Sequence, residues 1–306
     1  MNIIDKAIAG LDNFQRSHRL PGFILAVIKK YNDDKAGNYA ALLTYYGFLA
    51  LFPLLLVLTT VLTSIAGSNP ALKNKIIEGT TSYFPVLGNQ LSEHITTLHR
   101  SGIALVVGIL LIMYGARSVA DAFRQGINHI WHVPSDQRDG FPISLLKNLG
   151  IIVVGGVGFT FAAIVSSYMV NIGHHSLPFF ILAAVLNFFI LFGSFLLLLK
   201  LSLPGKLPLR QTRSGAVFSA IALMILQSAG SYLLARQLKN LDALYSYFAL
   251  PLGLLFWIFL QAQTMLYALE IAAVRSQNLW PRGLVGDKPT AADKRAANIR
   301  DTVATK

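Results

Sequence analysis

The 306-residue chain contains no cysteine, and this absence removes disulfides, thiolate nucleophiles and zinc–thiolate centres together. Charge is also scarce. Asp, Glu, Lys and Arg make up 13% of the residues, against a soluble norm of roughly 25%. Acidic residues are the rarer kind, 14 against 26 basic ones. No HExxH, P-loop or GxSxG pattern occurs, and no two carboxylates are spaced for acid–base work, so the expectation is a protein that is not an enzyme and needs no cofactor. No short apolar segment with a small-residue cleavage site opens the chain. The first strong apolar run starts near Ala40, which argues against a signal peptide.

Apolar residues fill the space that charge leaves, at 54% of the chain. Several runs reach the length of about 20 residues needed to cross a hydrocarbon core about 30 Å thick. The pattern predicts an all-α membrane protein with six transmembrane helices, at roughly 40–64, 102–122, 146–171, 178–199, 214–235 and 247–273. Three regions follow: cytoplasmic interfacial helices over 1–37, the six-helix domain over 38–275, and a basic tail over 276–306. With this layout 21 basic residues fall on the side of both termini and five on the other. The positive-inside rule places that richer side, and both termini, in the cytoplasm. Much of the net charge of +12 is therefore topology and headgroup attraction. No RNP-like motif accompanies it, so nucleic acid is not expected as a partner.

Outside the spans, Ile4, Ala7, Ile8, Leu11 and Phe14 recur at helical spacing, and "FILAVIKKY" gives a second short apolar stretch after Pro21 and Gly22. Two arrangements fit them: helices lying on the cytoplasmic face with Lys29 and Lys30 snorkelling, or helices packed under the bundle. Leu87, Leu91, Ile95 and Leu98 predict an amphipathic helix in the long connection at 66–101, a small extracytoplasmic cap. The tail loses its apolar pattern after Pro281 and is expected to be disordered or weakly helical.

A carboxylate within an apolar span requires an explanation. Gln263, Tyr267 and Glu270 fall at i, i+4 and i+7 and share one face of the sixth span, which should turn inward rather than toward lipid. The second span ends in "YGARSVADAF", which puts Arg117 and Asp121 in the same membrane half as Glu270. Arg117 is the candidate partner of Glu270, with Asp121 competing for it as an i, i+4 neighbour and Arg275 an alternative. A lock between helices and a proton- or substrate-linked role both fit this set. Pro53 in the first span, and Pro251 with Gly253 in the sixth, are candidate hinges or cavity-lining breaks. The glycines of the third span permit close helix packing. His129 and His132, three apart, lack the further ligands a metal site needs.

Four segments in order resemble the YihY/virulence factor BrkB family of bacterial inner-membrane proteins. They are "NYAALLTYYGFLALFPLLLVL", "ARSVADAFRQGINHIWHV", "LPGKLPLRQTRSGAVFSAI" and "LYSYFALPLGLLFWIFLQAQTMLYALEIAAV", the last with Glu270. The resemblance covers roughly 25–280 and implies an inner-membrane location and six spans. Family members once carried the label ribonuclease BN, a chemistry that this sequence does not support. The leading expectation is a transporter-like protein that moves a lipid or other amphiphile, with membrane lipids as partners. Its first and sixth spans would line a cavity floored by Gln263, Glu270 and Arg117. A non-catalytic envelope scaffold is the alternative, a membrane-bound nuclease ranks third, and a homo-oligomer is compatible with each.

Overall fold

The computed structural model describes residues 3–66, 102–172, 177–204, 209–242, 249–284 and 289–304, and within them the chain is all-helical. Two short helices come first, α1 (Ile3–Ser17) and α2 (Arg19–Asp33). Six long ones follow: α3 (Ala36–Ala66), α4 (Gly102–Ile130), α5 (Ile143–Ile172), α6 (Leu177–Ser202), α7 (Leu209–Asp242) and α8 (Ala249–Ser276). A last helix, α9 (Ala291–Ala304), lies in the tail. Four of the long helices are apolar enough over the described residues to cross a membrane: α4 from Val106, α5 to Ser166, α6, and α8 from Pro251. The expected cap falls outside the described residues.

The long helices close into a ring. Each packs on its neighbour in the chain, and α8 returns to pack on α3. The core runs through the ring, with Leu43, Phe123, Phe195, Trp257 and Leu266 buried in one cluster. Of the four helices apolar enough to cross a membrane, α8 is the most enclosed: 44% of its spanning window is buried, against 11% for α5. Outward faces stay apolar, as Leu146, Leu149 and Val157 on α5 and Phe179, Leu182 and Phe189 on α6 show. Such surface belongs in contact with acyl chains rather than water. Small residues set the closest approaches. A side chain added at Gly230 would collide with the Trp257 ring, and one at Gly158 with Ser194, so glycine is required where α7 meets α8 and where α5 meets α6.

Helix ends at one pole share a capping device. His132 after α4 and Asn278 after α8 take left-handed backbone, with φ of 51° and 53°. In each case the next amide folds back across the turn, Val133 N to the Asn128 carbonyl at 2.8 Å and Leu279 N to the Val274 carbonyl at 3.0 Å. These are Schellman caps, and the residue that closes each, Val133 or Leu279, is buried. Helices α1, α2 and α9 gather at this same pole and form a collar under the ring, linked to one another by Lys29 with Asp293 and by Arg282 with Asp33.

The tail thus corrects an expectation: residues 291–304 form a docked helix. The sequence "TAAD" at 290–293 explains it. Thr290 Oγ1 accepts from the Asp293 amide at 3.2 Å while Asp293 accepts from the Thr290 amide at 3.0 Å, a reciprocal cap ahead of an Ala-rich helix. The candidate hinges also look different. Helix α3 runs unbroken through Pro53, and Pro251 and Gly253 lie in the first turns of the described α8.

Candidate functional site

Helix α2 turns Ala26, Val27, Lys30 and Tyr31 inward on one face. Lys30 is 2% exposed and delivers its ammonium to three acceptors: the Glu270 carboxylate at 2.9 Å, the Ile130 carbonyl at 2.8 Å, and Asp34. Glu270 is fully buried. An ammonium has three donors, and all three are used. The α2–α3 turn fixes Asp34, and left-handed His132 brings its Nε2 to 3.3 Å from the other Asp34 oxygen. Four groups from three parts of the chain therefore meet under the ring.

Two carboxylates face one ammonium here, and the buried Arg282 guanidinium lines the same recess beside Asp34 and His132. Burial pushes the Asp34 carboxyl up, but the His132 hydrogen bond and the Lys30 charge outweigh it and hold the group below its ordinary value of 3.8. Glu270 Oε1 and His132 Nδ1 have no hydrogen-bond partner among the described residues.

The polar stripe on α8 does turn inward, but against α2. Tyr267 stacks on Tyr31 with ring centroids 3.9 Å apart, Gln263 adjoins the same tyrosine, and Glu270 takes Lys30. Arg117 is not the partner of Glu270. It is exposed on α4, away from the cluster, and Arg275 is exposed at the end of α8. Asp121 is held by Arg124 at 3.1 Å, Gln125 at 2.6 Å and Asn148 at 3.3 Å rather than by Arg117. Lys30, Asp34 and His132 were missed as a set. Their one sequence signal is the spacing of Ala26, Lys30 and Asp34 at i, i+4 and i+8 in "FILAVIKKYNDD". His132 binds Asp34, and no group of three potential metal ligands occurs among the described residues.

The tail bolts this cluster shut. Arg282 is 2% exposed and bridges Asp33 at 2.9 Å and Asp293 at 3.0 Å. Gln15 donates to the Arg282 carbonyl at 2.7 Å, and Asp12 accepts from the Leu284 amide at 2.8 Å. Asp293 also accepts from the Gly283 and Thr290 amides. Burial raises its carboxyl, but these donors prevail and hold it well below the usual carboxylate range.

Within the ring lies an apolar cavity of about 350 Å³. All six long helices contribute, among them Gly47 of α3, Phe123 of α4, Gly156 of α5, Leu198 of α6, Leu223 of α7 and Met265 of α8. Its polar lining residue is Gln261, not Gln263, and neither Glu270 nor Arg117 floors it. A second, polar recess of about 230 Å³ is lined by α3, α4 and the start of α5, and contains Arg117, Asp121 and Asn148. The two share a face of α5: Ser144 and Asn148 lead at helical spacing into Ile151, Ile152 and Gly155.

A family model described as virulence factor BrkB matches residues 27–293. A UPF0761 membrane protein of Alcanivorax borkumensis is 25% identical, over 84% of this chain and 61% of its own length. Similar proteins from Psychrobacter sp. and Acinetobacter baylyi are 25% and 24% identical, over 83% and 82% of this chain and 48% and 61% of theirs. The chain thus spans less than two thirds of the length of these relatives. No solved structure matches. The matched region runs from α2 through the ring and into α9, collar cluster included, and the chain belongs to the BrkB virulence factor family of membrane proteins.

Proposed function

We propose that this protein is a six-span inner-membrane protein, both termini cytoplasmic, that takes up a lipid or other amphiphile and moves it between the two faces of the bilayer. The observation that carries the reading is the apolar cavity lined by all six long helices. A volume of about 350 Å³ lies within the range of about 300–1,000 Å³ typical of small-molecule sites. Its lining suits hydrocarbon, and the polar recess beside it suits a headgroup. The collar cluster supports a gate at the cytoplasmic pole. Lys30, Asp34, Glu270 and His132 tie α2 and the helix ends together, and a change in the cluster's proton count would alter how tightly they hold.

Flux of labelled phospholipid in liposomes tests this, with two variants. Gly156 is exposed at the rim of the cavity and a side chain added there meets no atom within 4 Å, so Gly156→Leu should narrow its mouth without unfolding the ring. We expect protein-dependent flux in the wild type, loss in Gly156→Leu, and an altered pH dependence in Glu270→Gln. Wild-type vesicles without flux, even under an imposed proton gradient, would favour a scaffold that organises envelope partners.

A further inference from the structure

The recess at the α4–α5 seam has an uncommitted cation. Among the described residues Arg117 makes no hydrogen bond and no ion pair, although Asp121 stands one turn away on the same helix. Asp121 is already occupied by Arg124, Gln125 and Asn148. Its negative charge is offset by Arg124, which leaves the guanidinium of Arg117 as the free charge of the pocket. Tyr46 and Ser144 add hydroxyls to the wall.

Position gives this arrangement its meaning. At a rise of about 1.5 Å per residue, Arg117 lies about 8 Å and Asp121 about 2 Å short of the cytoplasmic end of the span expected over 102–122, close to the level of the headgroups. Both fall inside a helix apolar enough to span the membrane. Leu42 and Leu145, at the rim, are exposed. A guanidinium at this level, without a partner among the described residues, stands where a bilayer can bring a phosphate to it.

We infer that this recess is a headgroup site for a glycerophospholipid, which enters sideways from the bilayer and is held at its phosphate by Arg117, with Tyr46 and Ser144 donating to the remaining oxygens. The inference rests on the transport reading in one respect, that the bound lipid is the molecule moved; the site itself stands or falls by binding. An apolar rim favours a lipid phosphate over the free ion.

The full chain in detergent micelles is to be titrated with dioleoyl phosphatidylglycerol, dioleoylglycerol and inorganic phosphate, with bound adducts counted by native mass spectrometry. Wild-type protein should retain phosphatidylglycerol. Arg117→Ala should lower retention about tenfold, the loss of a charged hydrogen-bonding partner, and Arg117→Lys should restore part of it. Tyr46→Phe should lower it by roughly fivefold, the loss of one neutral hydrogen bond. Retention of dioleoylglycerol should be the same in all four proteins. Equal retention of phosphatidylglycerol by wild type and Arg117→Ala overturns the site. Displacement of the lipid by inorganic phosphate at matched concentration overturns the lipid assignment and gives the recess to the free ion. Arg117-dependent retention without flux in liposomes upholds the site and removes the transport reading. Flux with retention indifferent to Arg117 removes the site and leaves that reading.

Discussion

Lys30 is the cation shared by Glu270 and Asp34, the two most deeply buried carboxylates of the collar. Lys30→Met would leave Glu270 and Asp34 buried without their cation, and breaking such an arrangement costs about 3–5 kcal/mol. Glu270→Gln keeps the shape and an acceptor for Lys30, so its loss should be smaller. Unfolding midpoints in micelles check the order, and equal losses would show that Lys30 is not the hub. Glu270 was legible as an inward residue from its own helix alone, since Gln263 and Tyr267 mark the same face. Its partner was not. Lys30 is 240 residues away, and a helix's periodicity says which way a side chain points, not what arrives there.

At the scale of elements, the collar holds through a few acidic groups with low proton affinity. Asp293 is the clearest, with backbone amides, Lys29 and Arg282 around it. Because its folded-state value lies below its ordinary value of 3.8, its contribution is fully present above that pH and is lost as pH falls through the folded value. The protection of residues 291–304 against hydrogen exchange, relative to the intrinsic rate at each pH, should therefore stay high from neutral pH down to about pH 4 and fall only in stronger acid. Asp293→Ala should lower that protection from neutral pH down to about pH 4, through the lost cap and the freed Arg282, and converge with wild type in stronger acid, while the ring amides keep their protection. The tail helix was readable after all: "TAAD" is a capping signal, outweighed by the tail's charge and polarity when composition alone is weighed.

The collar helices also reverse the usual sense of amphipathicity. Helix α1 buries Asp12 and Gln15 against the tail and leaves Leu11 and Phe14 exposed, while α2 exposes Leu20, Ile24 and Ile28. Of the two arrangements left open by the sequence, the structure describes the packing under the bundle, through Ala26, Val27, Lys30 and Tyr31 of α2, and leaves the apolar stripe exposed.

For the whole molecule, orientation is the property most directly tested, and the lack of cysteine makes the test clean. A nitroxide on Leu20→Cys should show the oxygen accessibility of a bilayer-immersed site, and one on Asn32→Cys that of an aqueous one. In sealed vesicles of known sidedness, an impermeant thiol reagent should reach Asn32→Cys only from the cytoplasmic face. A Leu20 label that behaves as water-exposed would mean that the apolar stripe serves a protein partner.

The sequence by itself determined the solvent this protein belongs in, the long helices, the inward face of the last one and the bias of positive charge. These follow from local composition and period, which need no knowledge of distant neighbours. Only the tertiary structure decided that the six long helices close around a cavity, that Arg117 stands apart in a recess, and that Glu270 meets Lys30 rather than either arginine. Many basic residues could have balanced one buried carboxylate equally well in sequence terms. Distance and burial select among them, and both come from packing between segments far apart in the chain.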